Sequence, residues 1–117
     1  MYIPVHSYKY AFILPNGLVR YSDSHWKDND AIAGFELANQ GHNTYFLYAV
    51  ETIKEHRNKG LMTKLLTKIL SDHKTYQLDV EKDNEVAIAV YKKVGFKIAE
   101  ESWSNAWRME RNEKIRI

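Results

Sequence analysis

The sequence predicts a mixed α+β fold, in which helices pack on a central, mixed and mostly antiparallel sheet. β-type runs separated by turn signals fill the first half of the chain. Two runs with helical periodicity follow, separated by one short apolar run, and two further β-type runs come last. The order is therefore strands, helix, strand, helix, strands. No repeat or interdomain linker interrupts it, so residues 1–117 are expected to form one domain.

Two hairpins are predicted before the first helix. Residues 9–14 alternate with aromatic side chains and predict a strand, and the turn signal Pro15-Asn16-Gly17 leads to a returning strand at 18–21. Residues 22–30 are polar and fit either a loop or one short helical turn.

The second predicted hairpin contains the longest β-type run of the chain. Residues 31–38 predict one strand and residues 44–52 the other, joined by a five-residue turn at 39–43. The second strand leads directly into a basic loop.

The first predicted helix covers residues 61–72. Its apolar side chains form one broad stripe, which consists of Leu61, Met62, Leu65, Leu66, Ile69 and Leu70. A short strand at 76–80 follows, with Leu78 and Val80 on one face and Asp79 on the other.

The second predicted helix begins at a cap residue, either Asp83 or Asn84, and ends before Gly95, a residue typical of left-handed helix ends. The side chains at core spacing are Val86, Ala87, Val90 and Val94. The runs 96–101 and 103–110 predict the two final strands.

Composition excludes several classes of function. The formal net charge is +2 and the basic residues are scattered, which does not favour a nucleic-acid binder. Cysteine is absent, so disulfides, a thiol nucleophile and thiolate zinc sites are excluded. The five histidines lack ligand spacing, so no metal site is expected. No apolar run has membrane-spanning length and no signal-peptide pattern is present, so a cytoplasmic protein is expected.

The basic loop between the second hairpin and the first helix is the main candidate for a binding site. A strand that turns through this loop into a helix presents free backbone N–H groups at the positive end of the helix dipole. Gly60 lets an anion approach the backbone closely, and Arg57 and Lys59 add positive charge. The pattern predicts a site for a diphosphate, although a basic turn of this kind can also be a solvated connection.

A second segment makes the assignment more specific. Asn84, Ala87 and the run Tyr91-Lys-Lys-Val-Gly-Phe96 resemble one signature of the GCN5-related N-acetyltransferase (GNAT) superfamily. Arg57-x-x-Gly60-x-Met62 resembles the pyrophosphate loop of the same superfamily. The resemblance covers the chain from residue 31 onward and implies the GNAT acyl-CoA N-acyltransferase fold.

The resemblance implies that acetyl-CoA is bound as the acetyl donor and that an amine, in a small molecule or a protein, is the acceptor. The pantetheine arm would pair with the strand that ends near residue 52, and the phosphates would lie on the basic loop. The implied cofactor-binding residues are Val50, Glu51, Thr52, Arg57, Asn58, Lys59, Gly60, Leu61, Met62, Thr63, Asn84 and Tyr91.

The implied chemistry is direct attack of the amine on the thioester in a ternary complex. Tyr91 would donate a proton to the leaving thiolate, or it is simply an amphipathic tyrosine in the core. Asp79 is the first candidate for the base and Glu51 the second, while a solvent-facing strand carboxylate is the other interpretation of Asp79. Asn84 contacts the cofactor, caps the helix, or does both.

This chain departs from the family pattern in two places. Met62 stands where the family loop ends in a small residue, and the N-terminal region is too short for the pair of helices that usually follows the first strand. A shortened N-terminal region implies a reduced acceptor site or one that a partner subunit completes, so a homodimer is a further expectation. Trp103 and Trp107 either line an amine pocket or pack in the core.

Two functions of other classes compete with the enzyme. A non-catalytic acyl-CoA-binding regulatory or interaction module would keep the loop and bind without turnover. A small α+β nucleic-acid binder would show a steep salt dependence, which the mild charge does not favour.

Overall fold

The computed structural model describes residues 8–22 and 29–114, and within them it contains seven strands, two α-helices and one short 3-10 helix. The elements are β1 (Tyr8–Ile13), β2 (Val19–Ser22), β3 (Ala33–Gly41), β4 (Thr44–Thr52), the 3-10 helix (Lys54–His56), α1 (Leu61–Ile69), β5 (Thr75–Glu81), α2 (Glu85–Lys93), β6 (Lys97–Glu101) and β7 (Ala106–Arg111). The predicted element order is confirmed. The prediction of a loop or helical turn at 22–30 falls largely outside the described residues.

All seven strands form one sheet in the order β2-β1-β3-β4-β5-β7-β6. Neighbouring strands are antiparallel except β4 and β5, which run parallel because α1 carries the chain across between them. The predicted mixed, mostly antiparallel sheet is therefore confirmed.

The connection between β3 and β4 is tighter than the predicted five-residue turn. Pairing continues through Asn39, opposite Tyr45, and after a register shift ends at Gly41, opposite Thr44, so only His42 and Asn43 separate the strands. Both have positive φ, 51° and 61°, as a two-residue mirror-image turn requires. Asparagine tolerates this conformation. Because two residues are enough to complete the turn, residues 39–41 of the polar run belong to β3.

Helix α1 ends at Ile69, three residues before the predicted end. Leu70 is already extended, with ψ of 130°. The Tyr76 hydroxyl accepts a hydrogen bond of 2.9 Å from the Ser71 N–H, and Arg111 donates to the Ser71 carbonyl at 3.2 Å. These contacts from β5 and β7 fix the chain after Leu70 outside the helix. The start of β7 at Ala106, rather than 103, follows from Asn105, whose φ of 58° marks a turn.

Both helices pack on one face of the sheet, called here the helix face. Leu65 and Leu66 of α1 and Tyr91 of α2 are buried there with the inward side chains of the strands. The Tyr91 ring meets Phe96 edge-on, with centroids 5.8 Å apart. The predicted apolar stripe of α1 and the predicted facing of Leu78 and Val80 are confirmed.

The core assignment of Val86 is wrong, because 72% of this residue is exposed. Successive helical residues turn by about 100°, so Val86 lies roughly 140° around α2 from the buried Tyr91. Ala87, Val90 and Val94 are partly buried against the core as predicted, and Ile88 joins them.

Arg111 joins the C-terminal ends of both helices. Its Nε donates to the Val94 carbonyl at 3.0 Å, and its Nη2 lies 2.9 Å from the Asp72 carboxylate. Gly95, with φ of 103°, ends α2 in the predicted left-handed conformation, and a Cβ there would lie 3.3 Å from the Arg111 Nε. One guanidinium therefore holds the two helix ends at a fixed separation.

Candidate functional site

The parallel strands β4 and β5 separate soon after they begin. They pair only from Thr44 to Phe46, opposite Thr75 to Gln77. Farther along, β4 contains a bulge against β3, where the pairing shifts between Gly34 and Glu36 and Ala49 has a φ of 48°. A bulge bends and twists its strand. The end of β4 therefore leaves β5, and its backbone edge is free of β5 partners beyond Phe46.

A cleft of about 590 Å³ occupies the space that this separation opens. Its walls come from the end of β4, the loop before α1, the start of α1 and one side of α2. The lining residues are Val50, Glu51, Thr52, His56, Arg57, Asn58, Gly60, Leu61, Met62, Thr63, Asn84, Val86, Ala87, Val90 and Tyr91. Every residue predicted to bind the cofactor lies on this wall except Lys59. Sequence reasoning did not assign Val86, Ala87 and Val90 to the cleft, although their spacing from Asn84 and Tyr91 along one helix contained the signal.

Helix α1 begins without a side-chain cap. Gly60 precedes it with φ of 72° and ψ of 15°, and the first backbone bond into the helix runs from the Lys64 N–H to the Gly60 carbonyl at 3.0 Å. Within the described chain, the amides of residues 58–63 have no hydrogen-bond acceptor. These donors face a cleft at the positive end of a helix dipole, which is the arrangement that binds phosphate groups.

Arg57 and Lys59 differ in what they contact. The Arg57 Nε donates a 2.9 Å hydrogen bond to the Thr52 carbonyl, which ties the basic loop to the end of β4. Lys59 is exposed and lies off the cleft wall. Arg57 is thus the better-placed cation for an anion bound at the start of α1.

Met62 occupies the place of a small residue, and its side chain is partly buried against the core beside the cleft. Packing against the core directs part of the side chain away from the loop. The backbone N–H of Met62, which is the group an anion needs, has no acceptor within the described residues.

Tyr91 lies between α2 and the sheet, and only 6% of it is exposed. The exposed part lines the cleft. Burial raises the pKa of Tyr91 to about 12, since a phenolate loses its hydration there. No side chain or backbone group of the described residues hydrogen-bonds the Tyr91 hydroxyl. Every fully buried side-chain oxygen in these residues has a partner, so the Tyr91 hydroxyl is not fully buried and is exposed to the cleft. It stays protonated at neutral pH and can donate a hydrogen bond or a proton.

Asp79 is engaged in a two-point ion pair with Arg108, its cross-strand partner on β7. Its Oδ1 accepts from Nε and its Oδ2 accepts from Nη2 at 3.2 Å. The carboxylate points to the sheet face opposite the helices and is not on the cleft wall. Both carboxylate oxygens are engaged by Arg108 on the far face of the sheet, so this geometry weighs against Asp79 as a base in the cleft.

Asn84 caps α2, since its side-chain oxygen accepts a 3.2 Å hydrogen bond from the Ala87 N–H. The residue also lines the cleft. The cap uses the oxygen only, so the side-chain NH₂ group remains available to a ligand.

The two C-terminal tryptophans behave differently. Trp107 is partly buried against the core, with the Lys82 ammonium 4.3 Å from its ring centroid, whereas Trp103 is 55% exposed. Neither lines the cleft. Trp107 therefore packs against the core, and Trp103 lies on the surface.

Two other kinds of feature are absent from the part of the chain that the structure describes. The residues that the structure describes contain no group of three His, Asp or Glu side chains placed to hold a metal ion. None of the described helices is long and apolar enough to cross a membrane.

Comparison with known proteins places this geometry in a family. The model of the Acetyltransferase (GNAT) family matches residues 4–96, which is more than half of the chain. A search of curated protein sequences finds no match.

Solved structures share the fold at low sequence identity. A Klebsiella pneumoniae protein described as an acyl-CoA N-acyltransferase has a TM-score of 0.69 and 17% identity, over 96% of this chain and 77% of its own. The PaiA N-acetyltransferase of Thermoplasma acidophilum, in complex with coenzyme A, has a TM-score of 0.61 and 22% identity, over 80% of this chain and 58% of its own.

A GNAT family acetyltransferase of Elizabethkingia anophelis with acetyl-CoA bound has a TM-score of 0.60 and 16% identity. It is matched over 74% of this chain and 72% of its own. The sheet with its parted parallel strands, the uncapped helix start and the family-model match lead to one conclusion: this chain belongs to the Acetyltransferase (GNAT) family.

Proposed function

We propose that this protein is an N-acetyltransferase that moves an acetyl group from acetyl-CoA to a primary amine by direct attack in a ternary complex. One observation carries the proposal: a single cleft connects the open amides at the start of α1 with the hydroxyl of Tyr91, along the free edge of β4. Two of the structural relatives contain coenzyme A or acetyl-CoA, which supports the choice of donor.

The start of α1 holds the diphosphate in this proposal. The amides of 58–63 supply the donors, Gly60 permits close approach, and Arg57 supplies charge. The pantetheine amides pair with the edge of β4 at residues 50–52, as a peptide adds to an open sheet. Ala87 and Val90 form the apolar wall beside it.

The reaction needs little beyond positioning and a proton donor. The amine nitrogen attacks the thioester carbonyl carbon, the C–N bond forms, and the C–S bond breaks. A backbone N–H at the parted strands polarises the carbonyl oxygen as charge develops on it. Tyr91, which its pKa of about 12 keeps protonated, donates its proton to the sulfur as the C–S bond breaks, and the proton released by the amine restores the phenol through the base or water.

The amine releases one proton in the same reaction. Glu51 lines the cleft at the end of β4, whereas Asp79 does not. We therefore place Glu51, acting directly or through water, ahead of Asp79 as the acceptor of that proton.

Release of free thiol from acetyl-CoA in the presence of a panel of primary amines tests the proposal. Turnover is expected with at least one class of amine, and Tyr91→Phe is expected to reduce it. CoA that raises the melting temperature without any turnover across the panel would replace the enzyme with a non-catalytic acyl-CoA-binding module. Absence of both effects would remove acyl-CoA from the function altogether.

We also propose a homodimer, because large apolar side chains are exposed on and beside the two edge strands of the sheet, β2 and β6, namely those of Tyr21, Ile98 and Trp103. A monomer in sedimentation equilibrium at high protein concentration would contradict it.

A further inference from the structure

One row of polar side chains crosses the sheet on the face opposite the helices, called here the second face. Cross-strand pairing places Tyr10 beside Glu36, and Glu36 beside Tyr48. On the other side of the gap between β4 and β5, it places Asp79 beside Arg108. The Phe46 ring lies next to both halves of this polar row, because its centroid is 4.8 Å from that of Tyr48 and 5.1 Å from the Arg108 guanidinium carbon across the gap.

The two carboxylates of the polar row have different partners. Asp79 is neutralised by the Arg108 guanidinium. Glu36 is hydrogen-bonded to the Tyr10 hydroxyl, which is neutral, and in the described chain no Lys or Arg side chain pairs with it. The hydrogen bond to Glu36, burial, and the charges of Glu36 and Glu51 raise the pKa of Tyr10 to about 12. The part of the polar row on β1, β3 and β4 therefore has a net negative charge and a negative electrostatic potential.

Two aromatic rings of β4 lie next to this negatively charged part of the row. Phe46 and Tyr48 of β4 have ring centroids 4.8 Å apart, and the Arg108 guanidinium carbon lies 5.1 Å from the Phe46 centroid. One ring of the pair thus already contacts a cation. A half-buried ring beside a carboxylate is a suitable environment for an ammonium group.

The gap joins this surface to the cleft. Tyr48 is on the second face, Val50 is on the cleft wall, and the bulge at Ala49 lies between them. Two strand residues span about 7 Å. A group bound between Glu36 and Tyr48 therefore lies one short step through the gap from the free edge of β4, where the thioester is proposed to lie.

We propose that the acceptor binds on the second face as a cation, with an ammonium group other than the reacting amine held by the Glu36 carboxylate and the Tyr48 ring, so that the protein selects alkyl amines with a second positive charge over amines that carry a carboxylate. This inference rests on the proposed acetyl transfer for the place of the thioester. Its own content is a specificity role for Glu36, which Tyr10 orients through its hydroxyl.

Three amines of similar length and different charge test the selectivity: 1,4-diaminobutane, butylamine and 4-aminobutyrate. KM is expected to be lowest for the diamine and highest for 4-aminobutyrate. Glu36→Gln, which keeps a hydrogen-bond acceptor for Tyr10, is expected to raise KM for the diamine about tenfold and to leave KM for acetyl-CoA unchanged. The matched control is Glu101→Gln, since Glu101 lies on the edge strand β6, paired with Lys82 at 2.7 Å, and is expected to change neither constant.

Calorimetric binding of 1,4-diaminobutane to the CoA-loaded protein separates this inference from the proposed function. If no amine is turned over, the proposed function fails, and binding that Glu36→Gln and Tyr48→Leu weaken about tenfold still supports the cation site. Retained stabilisation by CoA in each variant shows that the fold is intact. An unchanged diamine affinity in both variants, or a preference for 4-aminobutyrate, overturns the inference.

Discussion

The two helices of this protein begin in opposite ways. Helix α2 starts at Asn84, whose side chain accepts the Ala87 N–H and completes the first turn. Helix α1 starts at Gly60, has no side-chain cap, and leaves the amides of 58–63 without acceptors in the described residues. Both starts line the same cleft.

The difference shows that a side chain caps the N-terminus of α2, whereas the backbone N–H groups at the N-terminus of α1 remain able to bind a ligand. A capping side chain at position 60 would satisfy the amides of α1 and occupy the space that an anion needs. We therefore expect α1 to bind the phosphates, and α2, whose start is already closed, to supply Tyr91 and the apolar wall.

The largest expected effect is on catalysis by α2. Tyr91→Phe removes the proposed proton donor but keeps the ring against Phe96, so kcat is expected to fall at least about 100-fold with little change in CoA affinity. Steady-state kinetics and a CoA titration measure the two quantities. Equal losses of kcat and CoA affinity would mean that Tyr91 belongs to binding.

The same residue predicts a loss of stability at high pH. The folded pKa of Tyr91, about 12, lies above its ordinary value of 10.0, so its contribution to stability is complete below pH 10 and is lost as pH rises toward 12. Two pKa units correspond to about 2.7 kcal/mol as an upper value. Urea unfolding across this range is expected to show a shallower decline in Tyr91→Phe, and equal slopes would contradict the assignment.

At the start of α1, Gly60→Ala is expected to weaken CoA binding about tenfold. The new Cβ occupies open space beside the proposed anion site, and an alanine at φ of 72° costs roughly 1–2 kcal/mol of stability. Gly41→Ala is the matched control, since Gly41 has φ of 86° and equally open space but lies in the β3–β4 hairpin. Melts with and without CoA should show similar losses of stability and a loss of the CoA effect at Gly60 only.

A smaller effect is expected at the closed helix start. Asn84→Ala removes the cap of α2 and is expected to lower the free energy of unfolding by about 1 kcal/mol without ligand. Asn84→Ser keeps a cap and should lose much less. If Asn84 also binds the cofactor, both variants weaken CoA binding equally, because neither keeps the NH₂ group.

Much of this division could be predicted from the sequence. Gly60 and the basic residues before a helical run indicated the open start, and Asn84 indicated the capped one, because both signals are local. The resemblance to GNAT proteins predicted a fold that the family match and the structural relatives confirm.

The features that sequence reasoning missed depend on contacts between distant residues. Asp79 was assigned a role from its position on a strand, but its ion pair is with Arg108, 29 residues away, and depends on the β5–β7 register. The bulge at Ala49 has no marker in the sequence, since alanine is not a residue that favours positive φ. The exposure of Val86 could have been deduced by taking Tyr91 as the buried centre of α2.

The contacts that Arg111 makes between the two helix ends have a consequence for redesign. Because one side chain anchors the Val94 carbonyl, the Ser71 carbonyl and the Asp72 carboxylate, it resists any attempt to part the helices from that end. An engineer who wants a wider cleft should therefore replace a lining side chain of α2 with a smaller one, for instance at Val90, and leave Arg111 unchanged.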